Sequence, residues 1–512
     1  MKGIAKYTVI LLILLIVIVC KKKSDIPKPG GEVRIAWTGG LIGVDPQKDW
    51  GCAGAMKIIR LVYSPLYSVD NPELGLAQSF SHSPDYTEWE FVLKKDCFFH
   101  TDPCFDYNPR RVSAYDVKYT YELMKNPNPA LELEPVNRIK EIIVLDSFRI
   151  KFILKESDKN FVRRLDNEMV YITPSEARER YKDNFCFHPV GSGPFCFEFW
   201  NEKVLTLVKN KNFWAKDKVG QKLPYLDKIV IKFFGDINQC INALLNNEVD
   251  ISPVNAEVAD LIFEKLGDQF MVKEDYENSI QIIRCPFPSL TILLNNWENP
   301  TLKDPLVRKA LNYGVNRDEI TKILALPFAL PAYGPTLKYF CEFKYEYNPQ
   351  MAIELLKKAG YKNGLKGLFF QHYPNPFSRQ IAEVLQSQLA KIGIETKLSC
   401  ATRVAALRGH PRWDFDLITI IYSDSTPSSH LHLYYSGSAP WVDFRSSVFD
   451  SLWKSYDAQP DSLLICKMDS LVLEEPPFVF LYWSYPCFLA KKNLESLDPL
   501  SYISPYTWWK NE

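Results

Sequence analysis

Hydrophobic positions along the chain switch repeatedly between two spacings. A period of two marks strands: Val33, Ile35 and Trp37 share a face over residues 32–37, and Trp89, Phe91 and Leu93 share one over residues 86–93. Further strands are expected over 139–144, 149–154, 204–209, 228–233, 395–398, 414–421 and 477–482. Helical spacing falls between them. Residues 352–360 end on Gly360 as a C-cap, and residues 380–394 place Ile381, Val384, Leu385 and Leu389 on one side. Ser113 caps a helix carrying Val117 and Tyr121. Strands and helices interleave throughout, which is the pattern of an α/β protein.

Residues 293–320 (LLNNWENPTLKDPLVRKALNYGVNRDEI) are the most sharply patterned part. A strand ends at Asn296; Asp304 then caps a helix whose first turn takes Pro305, where no donated N–H is needed. Leu306, Val307, Ala310 and Leu311 form its apolar face, so Arg308, Lys309 and Asn312 are expected off that face. Asn316 with Glu319 predicts a second helix start of the capping-box type. Nothing in this stretch carries chemistry of its own.

Length and composition narrow the function. With 512 residues, two or three domains are expected. Lys+Arg and Asp+Glu are both 61, so no basic excess points to nucleic acid. Aromatic residues make up 14%, enough for large cores or a ring-lined cavity. The 12 cysteines contain no metal-type CxxC spacing; Cys97 with Cys104 and Cys186 with Cys196 are the close pairs, and buried free thiols are expected for most. His430 and His432 share a strand face without a third ligand nearby. There is no P-loop, no HExxH and no GxSxG elbow, so the expectation is a non-enzyme without a cofactor.

At the amino terminus, Lys2 and Lys6 precede an apolar run from Val9 to Val19, too short to span a bilayer comfortably. Cys20 ends it, which resembles a bacterial lipoprotein signal and implies lipidation of Cys20; an uncleaved anchor followed by Lys21–Lys23 is the alternative. Residues 21–31 then read as a polar linker. Both readings place the body outside the cytoplasm and tether it to a membrane.

Several short motifs occur in one order: Leu76-Ala77-Gln78-Ser79, Trp89-x-Phe91-x-Leu93, Ser113-Ala114-x-Asp116-Val117, Gly191-x-Gly193-Pro194-Phe195, Asn210-x-x-Phe213-Trp214, Pro224-Tyr225-Leu226-Asp227, Ala243-Leu244-Leu245-Asn246 and the 293–320 stretch. Together they resemble the peptide/nickel-type extracytoplasmic solute-binding proteins that serve ABC importers. The resemblance implies a two-lobed α/β fold of the class II periplasmic-binding-protein type with an extra subdomain on the first lobe. By the same analogy, lobe 1 takes residues 30–62, 188–280 and 485–512, the subdomain 63–187, and lobe 2 residues 281–484. It also implies a monomer that captures an oligopeptide between its lobes and hands it to an ABC permease powered by a separate ATPase. The same scaffold binding a nickel chelate, a sugar or a small metabolite is the alternative, as is a surface peptide-sensing lipoprotein.

Site residues follow from the same resemblance. Asp424, just after a hydrophobic strand, stands where peptide-binding members carry the carboxylate that receives a ligand ammonium; a strand-end turn residue is the other reading. Those members have Gly-Trp shortly before it, whereas this chain has Ile421-Tyr422-Ser423, which leaves Tyr422 as the aromatic. Trp37, Thr38, Tyr67 and Trp413 are further cleft candidates, with burial in a lobe core as the alternative. Arg403 and Arg408 are candidates for a ligand carboxylate, or surface arginines. The Asp45-Pro46 loop is expected near the cleft.

Overall fold

The computed structural model describes residues 27–510 apart from 42, 49–52, 70, 126–133, 168–169, 267–268, 285–287, 324–328, 338–343, 374–375, 401–414, 424–430, 432, 437–441, 443, 486 and 497–506. Cys20, Arg403, Arg408, Trp413, Asp424, His430 and His432 lie outside the described residues.

Three sheets organise the chain. The first has seven strands: β1 (Glu32–Thr38), β6 (Phe195–Trp200), β7 (Val204–Lys209), β8 (Lys228–Phe234), β9 (Ile251–Pro253), β12 (Ile280–Arg284) and β19 (Cys487–Lys491), in the order β12-β19-β9-β1-β8-β7-β6. β1 lies parallel to both β8 and β9. The second sheet is antiparallel: β2 (Ala77–His82), β3 (Glu88–Leu93), β5 (Arg149–Leu154) and β4 (Ile139–Asp146). The third has six strands: β13 (Ser289–Asn295), β14 (Ala329–Pro331), β15 (Leu365–His372), β16 (Ile394–Cys400), β17 (Leu417–Ser423) and β18 (Val479–Ser484), in the order β14-β18-β13-β17-β15-β16. Two small hairpins complete the set: β10 (Phe263–Leu266) with β11 (Gln269–Val272), and β20 (Leu494–Glu495) with β21 (Trp509–Lys510).

The chain passes between the first and third sheets twice, from β12 to β13 and from β18 to β19. Both crossings lie close together, because Arg284 registers with Cys487 on one side and Ser289 with Ser484 on the other. A two-lobed body joined by two short adjacent connections has a built-in hinge.

The second sheet is a subdomain fixed to the first lobe. The chain leaves lobe 1 at Val62 and returns through Gly191-Ser192-Gly193. There Gly193 N–H donates to the Val62 carbonyl at 2.8 Å. A Cβ on Gly191 would lie 2.0 Å from that carbonyl oxygen, so only glycine fits. His100 sits buried beside this turn, with Nε2 3.0 Å from the Gly193 carbonyl. Burial drives its pKa down to about 4, so the ring is neutral; the stability this gives is present above the ordinary histidine value and is lost as pH falls through about 4. Asp45, expected at the cleft, is instead buried and paired with Arg178 of the subdomain at 2.6 and 3.0 Å.

The 293–320 stretch forms the base of the second lobe. Asp304 caps the Pro305–Gly314 helix by accepting from Leu306 N–H, as expected. Val307, Ala310 and Leu311 enter the core, but so do Arg308 and Asn312, which helical spacing had put on another face. Their polar ends bind main chain. Arg308 Nε donates to the Pro476 carbonyl at 2.8 Å, Asn312 Nδ2 to Phe478 at 3.1 Å, and Asn295 Nδ2 to Pro477 at 3.0 Å. Arg317, 1% exposed, donates to the carbonyls of Phe480, Ala332, Asn312, Val315 and Tyr345. The carbonyls leading into and along β18 are thus held by side chains from this one stretch. The expected capping box is half formed: Glu319 N–H donates to Asn316 Oδ1, while the Glu319 carboxylate accepts from Gln388.

The close cysteine pairs are not bridged; Cys97, Cys104, Cys186 and Cys196 are free thiols. Asp469 is a buried acid in lobe 2. Its Oδ2 accepts from the Thr336 hydroxyl at 2.6 Å, and Oδ1 has no partner among the described residues. Burial lifts its carboxyl to about 7.

Two outcomes follow from these networks. Arg317→Ala leaves several buried carbonyls without a donor and is expected to cost about 3–5 kcal/mol in chemical denaturation, with Arg317→Lys recovering only part of the loss. Asp469 has a raised pKa, so the stability it supports is full below the ordinary aspartate value and is lost as pH rises through about 7. Asp469→Asn is therefore expected to stabilise by about 1–3 kcal/mol at pH 8 and to change nothing at pH 4, read as melting temperature against pH.

Candidate functional site

The candidate site lies where the lobes meet. From lobe 1 comes the carboxyl end of β1. Parallel strands end there, and open α/β sheets present ligand groups at such ends. Trp37 is half-buried and Thr38 exposed, and Gly39 turns the chain with φ +74. Lys57, on the Ala53–Val62 helix, places its ammonium 5.3 Å from the Trp37 ring centre and 4.9 Å from that of Phe488. Phe488 follows the second crossing directly, so Trp37, Lys57 and Phe488 form one cluster beside the hinge. Within the hinge, the Arg284 guanidinium stacks 3.8 Å from the Tyr485 ring centre.

From lobe 2 comes the end of β17. Ser423 registers with Ser289, which also faces Ser484, so this strand finishes at the crossing itself. On its other side β17 pairs with β15 only at Leu417 and Ile418. From Thr419 to Ser423 that side has no strand partner among the described residues. Leu417, Ile418, Thr419 and Ile420 are buried, whereas Ile421 is 59% exposed. An open edge offers alternating N–H and C=O groups to an extended ligand.

The sequence candidates separate accordingly. Trp37 and Thr38 end β1, Trp37 beside Lys57, and the backbone of Tyr422 lies in the segment without an outer strand partner among the described residues. Tyr67 belongs to the subdomain, its ring edge-on to Phe80 at 5.2 Å. Asp424, Trp413, Arg403 and Arg408 lie outside the described residues, although Asp424 follows Ser423 in the chain. Lys57, Phe488, Arg284, Tyr485 and Ile421 were not singled out by sequence. Ile421 carried one usable hint, an isoleucine where Gly would let a ligand backbone approach closely.

Residues 71–442 match the model of the bacterial extracellular solute-binding proteins, family 5 (middle). The chain belongs to this family. Among relatives of this family 5 protein, the glutathione-binding protein GsiB of Salmonella paratyphi A is 27% identical over 467 residues, covering 85% of this chain and 86% of GsiB. Two solved structures share the fold. The DppA periplasmic binding protein of Helicobacter pylori, in complex with the peptide STSA, superposes with a TM-score of 0.81 at 23% identity, over 95% of this chain and 99% of that one. AgaA from A. tumefaciens R10, in complex with agropinic acid, gives 0.79 at 24% identity, over 94% and 99%. The expected class II two-lobed architecture is therefore confirmed, and the chain is an extracellular solute-binding protein of family 5.

The two faces of β17 make a stability contrast. Ile421→Gln is expected to change the stability by less than about 0.5 kcal/mol in chemical denaturation, since the side chain is exposed. Ile420→Gln, one residue earlier and facing the lobe 2 core, is expected to cost about 2–4 kcal/mol. Equal costs would show that the Ile421 face is covered.

Proposed function

We propose that this family 5 protein captures oligopeptides, held through their main chain, and delivers them to its permease. The observation that carries the reading is the side of β17 over Thr419–Ser423 that has no strand partner among the described residues. A peptide laid along Thr419–Ser423 extends the sheet by one strand, satisfying main-chain groups without regard to its sequence. Specificity is then broad, with side chains left in roomy pockets.

In this reading Asp424 receives the peptide ammonium, a charge-assisted bond whose strength depends on water leaving the cleft. Tyr422 and Trp413 supply aromatic walls, Trp37 and Thr38 close from lobe 1, and Tyr67 contributes from the subdomain side. Arg403 and Arg408 receive the carboxylate end. The protein acts as a monomer in the periplasm or at the cell surface, held to the membrane by a lipid on Cys20 across the 21–31 linker. No cofactor takes part, and no catalysis occurs.

Native mass spectrometry of gently purified protein is expected to show a ladder of bound peptide masses; a single non-peptide mass would overturn the peptide reading. Asp424→Ala is expected to weaken binding of tripeptides with a free amino terminus at least about tenfold by calorimetry, with glutathione included among the probes. Unchanged affinity would remove Asp424 from the site.

A further inference from the structure

A second contact joins the lobes through residues other than the two crossings. The subdomain helix Phe161–Asn167 meets the carboxyl end of the lobe 2 helix Ser447–Ala458. Lys159 Nζ donates to the Ala458 carbonyl at 2.6 Å, and Asn160 Nδ2 donates to the Asp457 carbonyl at 3.0 Å. Both carbonyls belong to the last turn, where a helix leaves its acceptors unpaired and carries negative partial charge. Arg164 Nη2 pairs with the Asp457 carboxylate at 2.5 Å. Arg164 is itself aimed by Asp158, which accepts from its Nε at 3.0 Å and lies 3.6 Å from Arg138.

The subdomain rides with lobe 1, fixed by the Asp45–Arg178 pair and by the glycine turn packed on Val62. Lobe 2 reaches lobe 1 through the two adjacent crossings. Any opening of that hinge therefore separates the Phe161–Asn167 helix from the end of Ser447–Ala458. We propose that Arg164 and Asp457, with Lys159 and Asn160, form an interlobe latch that sets the affinity of capture without touching the ligand. The latch stabilises the closed arrangement in the absence of ligand, so the ligand works against a smaller conformational cost. Arg164 is 13% exposed and Asp457 31%, a partly wet pair. Such a pair biases an equilibrium without locking it, and added salt weakens it.

The latch rests on the two-lobed capture reading but not on the ligand being a peptide, and its test is made without ligand. Labels are introduced through unnatural amino acids at the exposed positions of Leu145 in the subdomain and Leu463 in lobe 2 of the full chain. Single-molecule energy transfer then reads the closed and open populations. Asp457→Asn, which keeps the helix and its carbonyls, is expected to lower the closed-to-open ratio about fivefold. Salt at 0.5 M (roughly a 4 Å screening length) is expected to lower it in the wild type but much less in Asp457→Asn. Arg164→Asp is expected to open the protein, and Arg164→Asp with Asp457→Arg to close it again. Unchanged populations in Asp457→Asn, with an unchanged melting temperature, would overturn the proposal whether or not Arg164→Asp folds. Affinity for the tripeptide Ala-Ala-Ala is expected to fall by the same factor as the closed fraction; a changed fraction with no Ala-Ala-Ala binding would count against the peptide reading alone.

Discussion

The fold depends on a set of buried hydrogen bonds from side chains of 295–317 to the main chain of 476–480. Arg308, Asn295, Asn312 and Arg317 occupy the carbonyls of Pro476, Pro477, Phe478 and Phe480. A guanidinium at 1% exposure is tolerable only because carbonyl oxygens surround it. The strand so fixed, β18, runs straight into the second interlobe crossing. Lobe 2 therefore presents a firmly held strand to the crossing.

The same arrangement builds the site. β13 and β18 meet at Ser289 and Ser484, and β17 ends beside them at Ser423. The segment Thr419–Ser423, whose outer side has no strand partner among the described residues, thereby ends beside the two crossings. A ligand bound there is enclosed when the lobes approach, and water is expelled from both sides of it at once. In the proposed account, closure is biased by the ligand and by the contact of Arg164 with Asp457.

Much of the fold was legible because strand and helix spacings are clean and the caps are local. Asp304, Pro305 and the Gly360 terminus are read within a few residues of themselves. The burial of Arg308 and Asn312 was not legible, since periodicity assigns polar residues outward and cannot see that distant carbonyls await them. The Glu319 carboxylate went to Gln388, 69 residues away, instead of its own cap. The site divided along the same line. Trp37, Thr38 and Tyr422 are candidates through resemblance alone, whereas Lys57 and Phe488 come together only once β19 has crossed back beside β1 through β9. Asp45 looked like a cleft residue and is a subdomain tie, because its partner Arg178 lies 133 positions on. Nothing local announces the contact between Arg164 and Asp457, 293 positions apart.

The central claim is that solute is held against the open edge of β17 as the lobes close. Hydrogen exchange on the ligand-loaded and ligand-stripped protein tests it at the backbone itself. New protection on loading is expected at amides within Thr419–Ser423, accompanied by protection around Trp37 and Thr38, with the β18 amides protected in both states. Loading that protects neither segment, or that protects only the subdomain, would contradict the account.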